Sequence, residues 1–130
     1  MHGILDHMTA RAVLVLACVL MFVAVAAGAF GAHALKSRLA PEMLSAWQTG
    51  VQYQAWHALA LALVGVLMVQ MPGRSGLGAA AWCFLAGIAL FCGSLYALAL
   101  TGTRGVGAIT PVGGIGFLAG WAVLAIALLR

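Results

Sequence analysis

Of the chain's 130 residues, 65% are hydrophobic and only 6% are charged. A soluble domain is about half apolar and about a quarter charged, so a soluble globular domain, a disordered chain and a disulfide-stapled secreted scaffold are excluded. The net charge of +4 is scattered over connecting segments, which excludes the clustered basic face of a nucleic-acid binder.

The charged residues are Asp6, Arg11, Lys36, Arg38, Glu42, Arg74, Arg104 and Arg130. Between them lie uncharged stretches at 12–35, 43–73, 75–103 and 105–129. A membrane-crossing helix takes about 20 apolar residues, so each stretch holds one span and none holds two with a turn. The expected fold is all-α: a four-helix transmembrane bundle with short loops. It forms a single integral membrane domain, 1–130, with spans near 12–35, 52–71, 77–100 and 111–129. A short amphipathic interfacial helix, near 41–51, precedes span two.

In chain order, residues 1–10 read as a short polar tail. Span one is rich in small residues. Ala24, Gly28 and Ala32 fall on one face, and Ala26, Ala29 and His33 on another. Small residues let helix backbones approach closely in lipid, so this helix is expected to be gripped by two neighbours. Cys18 follows too short an apolar run to be a lipoprotein site, and Ala26-Ala27-Gly28-Ala29 lies inside a longer apolar run, so an uncleaved helix is expected.

Pro41 and Glu42 mark a helix start, since Pro suits the first turn and Glu the positive end of the dipole. Leu44, Trp47 and Val51 then share one face, opposite Glu42, Ser45, Thr49 and Gln52. This helix either lies on the membrane surface or leads obliquely into span two. Trp47, Tyr53 and Trp56 read as interfacial anchors. Pro72 to Gly76 is a turn. Thr110 and Pro111 read as N-cap and first helical residue of span four. Its Gly113, Gly116 and Gly120 share a face. Together with Gly28, Gly31, Gly93 and Gly114 they are the expected helix-packing positions. Cys18, Cys83 and Cys92 form no CxxC pair and read as small buried hydrophobes rather than metal or redox ligands.

Four spans put both termini on one side. Arg11, Arg74 and Arg130 on that side balance Lys36, Arg38 and Arg104 on the other. Glu42 tilts the expectation slightly towards cytoplasmic termini in a bacterial-type inner membrane.

Threading the spans up and down gathers the polar side chains in one half of the bundle. His33 ends span one. Gln48, Gln52, Tyr53, Gln54 and His57 begin span two. Ser94 and Tyr96 end span three, and Thr101, Thr103 and Thr110 lie between spans three and four. The opposite half has only Gln70 and Ser75 at its rim. His33, Gln48, Gln52, Tyr53, His57, Ser94, Tyr96 and Thr110 are therefore the candidate binding or structural set. Buried polar groups need partners, so the set either locks the helices together or holds a small molecule, ion or lipid headgroup. The start of span four would add free N–H groups favouring an anion. His33 and His57, on adjacent spans, are also a conceivable haem pair. Their unequal depths and the short loops argue against it.

Four ordered motifs carry a resemblance. They are Gly28-Ala29-Phe30-Gly31-Ala32-His33; Gln48-Thr49-Gly50-Val51-Gln52-Tyr53-Gln54 with His57; Phe91-Cys92-Gly93-Ser94-Leu95-Tyr96; and Thr110-Pro111-Val112-Gly113-Gly114. From about Ala17 to Trp121 the chain closely resembles the small inner-membrane proteins of the domain-of-unknown-function 423 family, which includes transmembrane protein 256. Cys92 stands where a serine is expected. The resemblance implies a four-span membrane protein without an assigned activity. The expected function is non-enzymatic and without cofactor. The chain would act as a binding, accessory or assembly subunit in the lipid bilayer, within a larger complex or homo-oligomer. The alternative is an oligomeric transporter or channel for a small molecule or ion, which the absence of midplane ionisable residues disfavours. A haem- or quinone-binding protein comes third.

Overall fold

The computed structural model describes residues 8–130. Most of the expected polar tail, including Asp6, lies outside the described residues. Among those residues the fold is all-helical, and four helices are long and apolar enough to cross a membrane. We label them α1 (Ala10–Leu35), α2 (Pro41–Gln70), α3 (Leu77–Thr101) and α4 (Thr110–Leu129). The last five residues of α1, Gly31–Leu35, and a mid-helix segment of α3, Ile88–Cys92, wind as π turns. A 3-10 turn, Arg104–Ala108, precedes α4.

The helix ends follow local chemistry. Thr9 caps α1, its hydroxyl accepting from the Ala12 N–H at 3.1 Å. Pro41 opens α2 and Pro72 stands beyond its end. Gly102 closes α3 in the left-handed conformation, φ 69°, with its N–H on the Leu98 carbonyl.

Several expectations require correction. The segment 41–51 is continuous with span two, so of the two arrangements expected for it the helix leads into the span, and α2 is one 30-residue helix rather than a separate interfacial helix followed by a span. At 1.5 Å per residue it is about 45 Å long, which exceeds the roughly 30 Å hydrocarbon core. Its first turns must extend past that core or tilt within it. Trp47 is not an interfacial anchor. It is 7% exposed, packed between α1 and α3, because only a glycine at Gly31 leaves room for its indole.

The core joins Val13 and Ala17 of α1, Leu61 and Val64 of α2, Leu77, Phe84 and Cys92 of α3, and Phe117 and Leu124 of α4. The α3–α4 seam is the tightest. A Cβ on Gly113 would strike the Phe91 backbone, one on Gly87 would strike the Phe117 ring, and one on Gly120 would stand 2.6 Å from Phe84. A Cβ on Gly116 would stand 3.3 Å from the Gly87 Cα. Helix α1 packs chiefly on α2 and not between two neighbours. Ala24 faces inward, whereas Ala26, Ala29, Ala32 and His33 are exposed. Of the other expected packing glycines, Gly28 and Gly31 face Val51 and Trp47, Gly114 makes ordinary contact with Phe91, and Gly93 meets nothing within 4 Å. Gly50 and Gly65, against Tyr96 and Leu14, are close-approach positions outside the expected packing set.

Candidate functional site

The polar half of the bundle is organised as three hydrogen-bonded ties. The first centres on Gln54, which is 3% exposed. Its Nε2 donates to the Leu20 carbonyl of α1 at 2.7 Å, and its Oε1 accepts from the Tyr96 hydroxyl of α3 at 2.7 Å. One amide thus joins three helices. Beside it the Trp47 Nε1–H donates to the Ala27 carbonyl at 2.9 Å, and its indole packs on the Tyr96 ring with centroids 4.8 Å apart.

The second tie joins α3 to α4. The Ser94 hydroxyl donates to the Phe91 carbonyl in the preceding π turn at 2.9 Å. Its single proton is then used, so Thr110 donates to the Ser94 oxygen at 2.6 Å. Thr110 is consequently the first residue of α4 and not its N-cap. The Val112 and Gly113 N–H groups both reach the Ile109 carbonyl, at 3.0 and 3.2 Å. Pro111 has no N–H. The expected row of free N–H groups for an anion is therefore taken up by the turn leading into the helix.

The third tie joins α2 to α4. Indole N–H is a donor only, so the Trp121 Nε1–H at 3.2 Å makes His57 Nε2 an acceptor. The imidazole proton then lies on Nδ1 and is donated to the Tyr53 carbonyl at 2.8 Å. The ring stacks on Phe117 with centroids 3.6 Å apart and planes 13° apart. Both ring nitrogens are engaged, so a haem iron or metal at His57 would have to displace Trp121 or break the bond to Tyr53.

His33 does not join His57. It is exposed near the outer end of α1. Trp47 packs on Gly31, and His57 lies ten residues, about 15 Å, further along α2. Two axial ligands that far apart cannot flank one iron. Gln48 and Gln52 are also exposed and make no side-chain hydrogen bond within the described residues. Of the expected set, Ser94, Tyr96, Thr110 and His57 enter the ties, and Tyr53 stands beside them. Among the described residues, no buried side-chain nitrogen or oxygen lacks a partner. Cys18 is exposed, Cys83 half-buried and Cys92 buried.

Gln54 falls within the expected polar half but outside the candidate set, and neither Trp121 nor the inward role of Trp47 was expected. A signal existed. Trp47, Gly50, Gln54, Ala58, Leu61 and Gly65 recur at three- and four-residue spacing and are all buried. That phase turns Gln54 inward and Gln48 and Gln52 outward.

Between α2 and α4 an open groove of about 490 Å³ runs along the third tie. Tyr53, His57, Phe91, Gly114, Phe117 and Trp121 line it. Leu118 and Trp121, at 72% and 43% exposure, place its mouth on the lipid side. A second open groove, of about 580 Å³ and almost wholly apolar, lies between α1 and α2 beside Cys18, Ala26 and Ala29.

Four apolar helices tied through one polar half define a small polytopic membrane protein. The sequence model of the family described as "Protein of unknown function (DUF423)" matches residues 27–114, and the chain belongs to that family. It is similar to UPF0382 membrane protein YwdK of Bacillus subtilis (strain 168), 40% identical over 90% of this chain and 95% of the relative. It is 41% identical to UPF0382 inner membrane protein YgdD of Escherichia coli (strain K12), over 95% of this chain and 93% of the relative. A UPF0382 membrane protein of Staphylococcus epidermidis is 44% identical over 82% of this chain and 86% of its own length. No solved structure matches. The matched residues include Gln54, Tyr96, Ser94, Thr110 and His57, whereas their partners Leu20 and Trp121 lie outside the match.

Proposed function

We propose that this protein is a non-enzymatic, multi-pass inner-membrane subunit that binds or assembles through its outward faces while the polar half locks the bundle. The observation that carries the reading is the use of the buried polar groups. Gln54, His57, Ser94, Tyr96 and Thr110 are each engaged in bonds within the chain. A catalytic site would keep an acid, base or nucleophile free to face a substrate. The α1–α2 groove supports an assembly role, because small residues allow a further helix to approach closely. The termini are assigned to the cytoplasm. Their side carries Arg11, Arg74 and Arg130 with no acidic side chain among the described residues, whereas Glu42 accompanies Lys36, Arg38 and Arg104 opposite.

The test is purification from the native membrane in polymer-bounded nanodiscs, with mass photometry and mass spectrometry. A stoichiometric partner or second copy is expected, lost in Ala26→Trp without a change in melting temperature. A monomer that drives solute flux or turnover in proteoliposomes would overturn the reading. A carboxy-terminal fluorescent fusion should be bright, as only a cytoplasmic terminus allows.

A further inference from the structure

The groove between α2 and α4 has a chemistry that packing alone does not explain. Lipid chains are as apolar as a protein interior, so a bound molecule gains nothing in the bilayer by mere burial of hydrocarbon. To displace bulk lipid it must make contacts that an acyl chain cannot. Flat rings line this groove: the half-buried Phe91 and the exposed Trp121 indole, backed by the buried His57 imidazole stacked on Phe117. Trp121 is held in place by its bond to His57. Gly114 leaves the floor flat, since a Cβ there would meet only Phe91 ring atoms, at 3.8 and 4.0 Å. Aromatic faces favour another ring, offset-stacked or edge-on.

The groove also has one unused donor. The Tyr53 ring packs on Phe91, centroids 4.6 Å apart, and on Phe117. Its hydroxyl is accessible and bonds to no described residue, whereas the Tyr96 hydroxyl is spent on Gln54. Tyrosine on a helix leans towards the N-terminal end, here the loop end of α2 at the membrane surface. The groove then runs from Pro111 to Trp121, ten residues or about 15 Å. That length accommodates a ring and the start of a tail. The volume, about 490 Å³, is in the range of small-molecule sites.

We infer that this groove binds an isoprenoid quinone, its ring lying against Trp121 and Phe91 and a ring carbonyl accepting from the Tyr53 hydroxyl. Binding alone is assigned, without electron transfer. The inference rests on the binding-subunit reading above and names one ligand for it.

The test uses the full chain in phosphatidylcholine nanodiscs, in a Trp56→Phe, Trp82→Phe background, with ubiquinone-1 as probe. Neither replaced tryptophan lines the groove, so the groove indole dominates the accessible emission. Saturable quenching is expected. Gly114→Leu, which fills the groove floor, should weaken it at least tenfold with the melting temperature unchanged. Tyr53→Phe should weaken it about three- to tenfold, the loss of one hydrogen bond. Squalene, a tail without carbonyls, should not compete. Quenching that rises linearly with probe and is the same in Gly114→Leu would overturn the inference. Partner capture is read out separately, so a quinone-silent protein that still holds its partner overturns this inference and leaves the assembly reading standing.

Discussion

The two halves of the bundle hold together by different means. Towards the termini, Leu61, Val64, Leu77, Phe84 and Leu124 fit against one another with no side-chain hydrogen bond among them. Towards the opposite surface, Gln54, Ser94, His57 and their partners form the three ties. In water both halves would be driven by hydrophobic burial. In lipid that drive is absent, and van der Waals fit and hydrogen bonds remain. An apolar side chain is nearly as content beside a lipid tail as beside a neighbouring helix. A glutamine amide is not. The polar half therefore decides which helices are neighbours, and the apolar half decides how closely they settle.

This contrast can be broken in graded steps. The largest effect is expected from Gly113→Leu, whose Cβ would occupy the position of the Phe91 backbone. The α3–α4 seam should fail to close, read as loss of the monodisperse peak in fluorescence-detected size-exclusion chromatography. Phe84→Ala comes next. The ring is fully buried, and its removal should cost about 3 kcal/mol by cavity formation, measured by steric trapping. Helix neighbours should remain the same by cysteine cross-linking. Gln54→Leu should cost less, about 1–2 kcal/mol, since it strands the Tyr96 hydroxyl and the Leu20 carbonyl loses its extra partner. Yet it should loosen the α1–α2 cross-links that Phe84→Ala preserves. If it leaves them untouched, the division of labour between the halves is wrong. The smallest effect belongs to His33→Ala and Gln52→Ala, exposed and outside the ties, each within about 0.5 kcal/mol.

The four spans and the uneven placement of polar residues were legible because charge is nearly forbidden in hydrocarbon. Arg74 and Arg104 alone bracket α3 between its two loops. The facing of each helix was harder to read. On a soluble helix, polarity marks the outward side, but here both sides of α1 are apolar. Its buried face mixes small residues, Ala17, Ala24 and Gly31, with Val13 and Leu35, so polarity gives no mark of it. Size appeared on two faces, so a second neighbour was expected where lipid lies. Gln52 and Gln54 differ by two positions, about 200° around the helix. Choosing between them needed the phase of Trp47, Gly50 and Leu61. The bond from Trp121 to His57 links residues 64 apart in sequence, and no local pattern encodes it.

The π turn at Ile88–Cys92 gives α3 a second property. One surplus residue in a helix advances everything beyond it by about 100°. Below the turn, α3 is keyed to the glycines of α4. Above it, Ser94 and Tyr96 must meet Thr110 and Gln54. A uniform α-helix has a single azimuth for both tasks, whereas the interrupted one has two. The turn works as a vernier, setting the upper and lower engagements of one rod independently. Excision of a single residue there would therefore act as a rotation of the upper segment rather than as a shortening of the span.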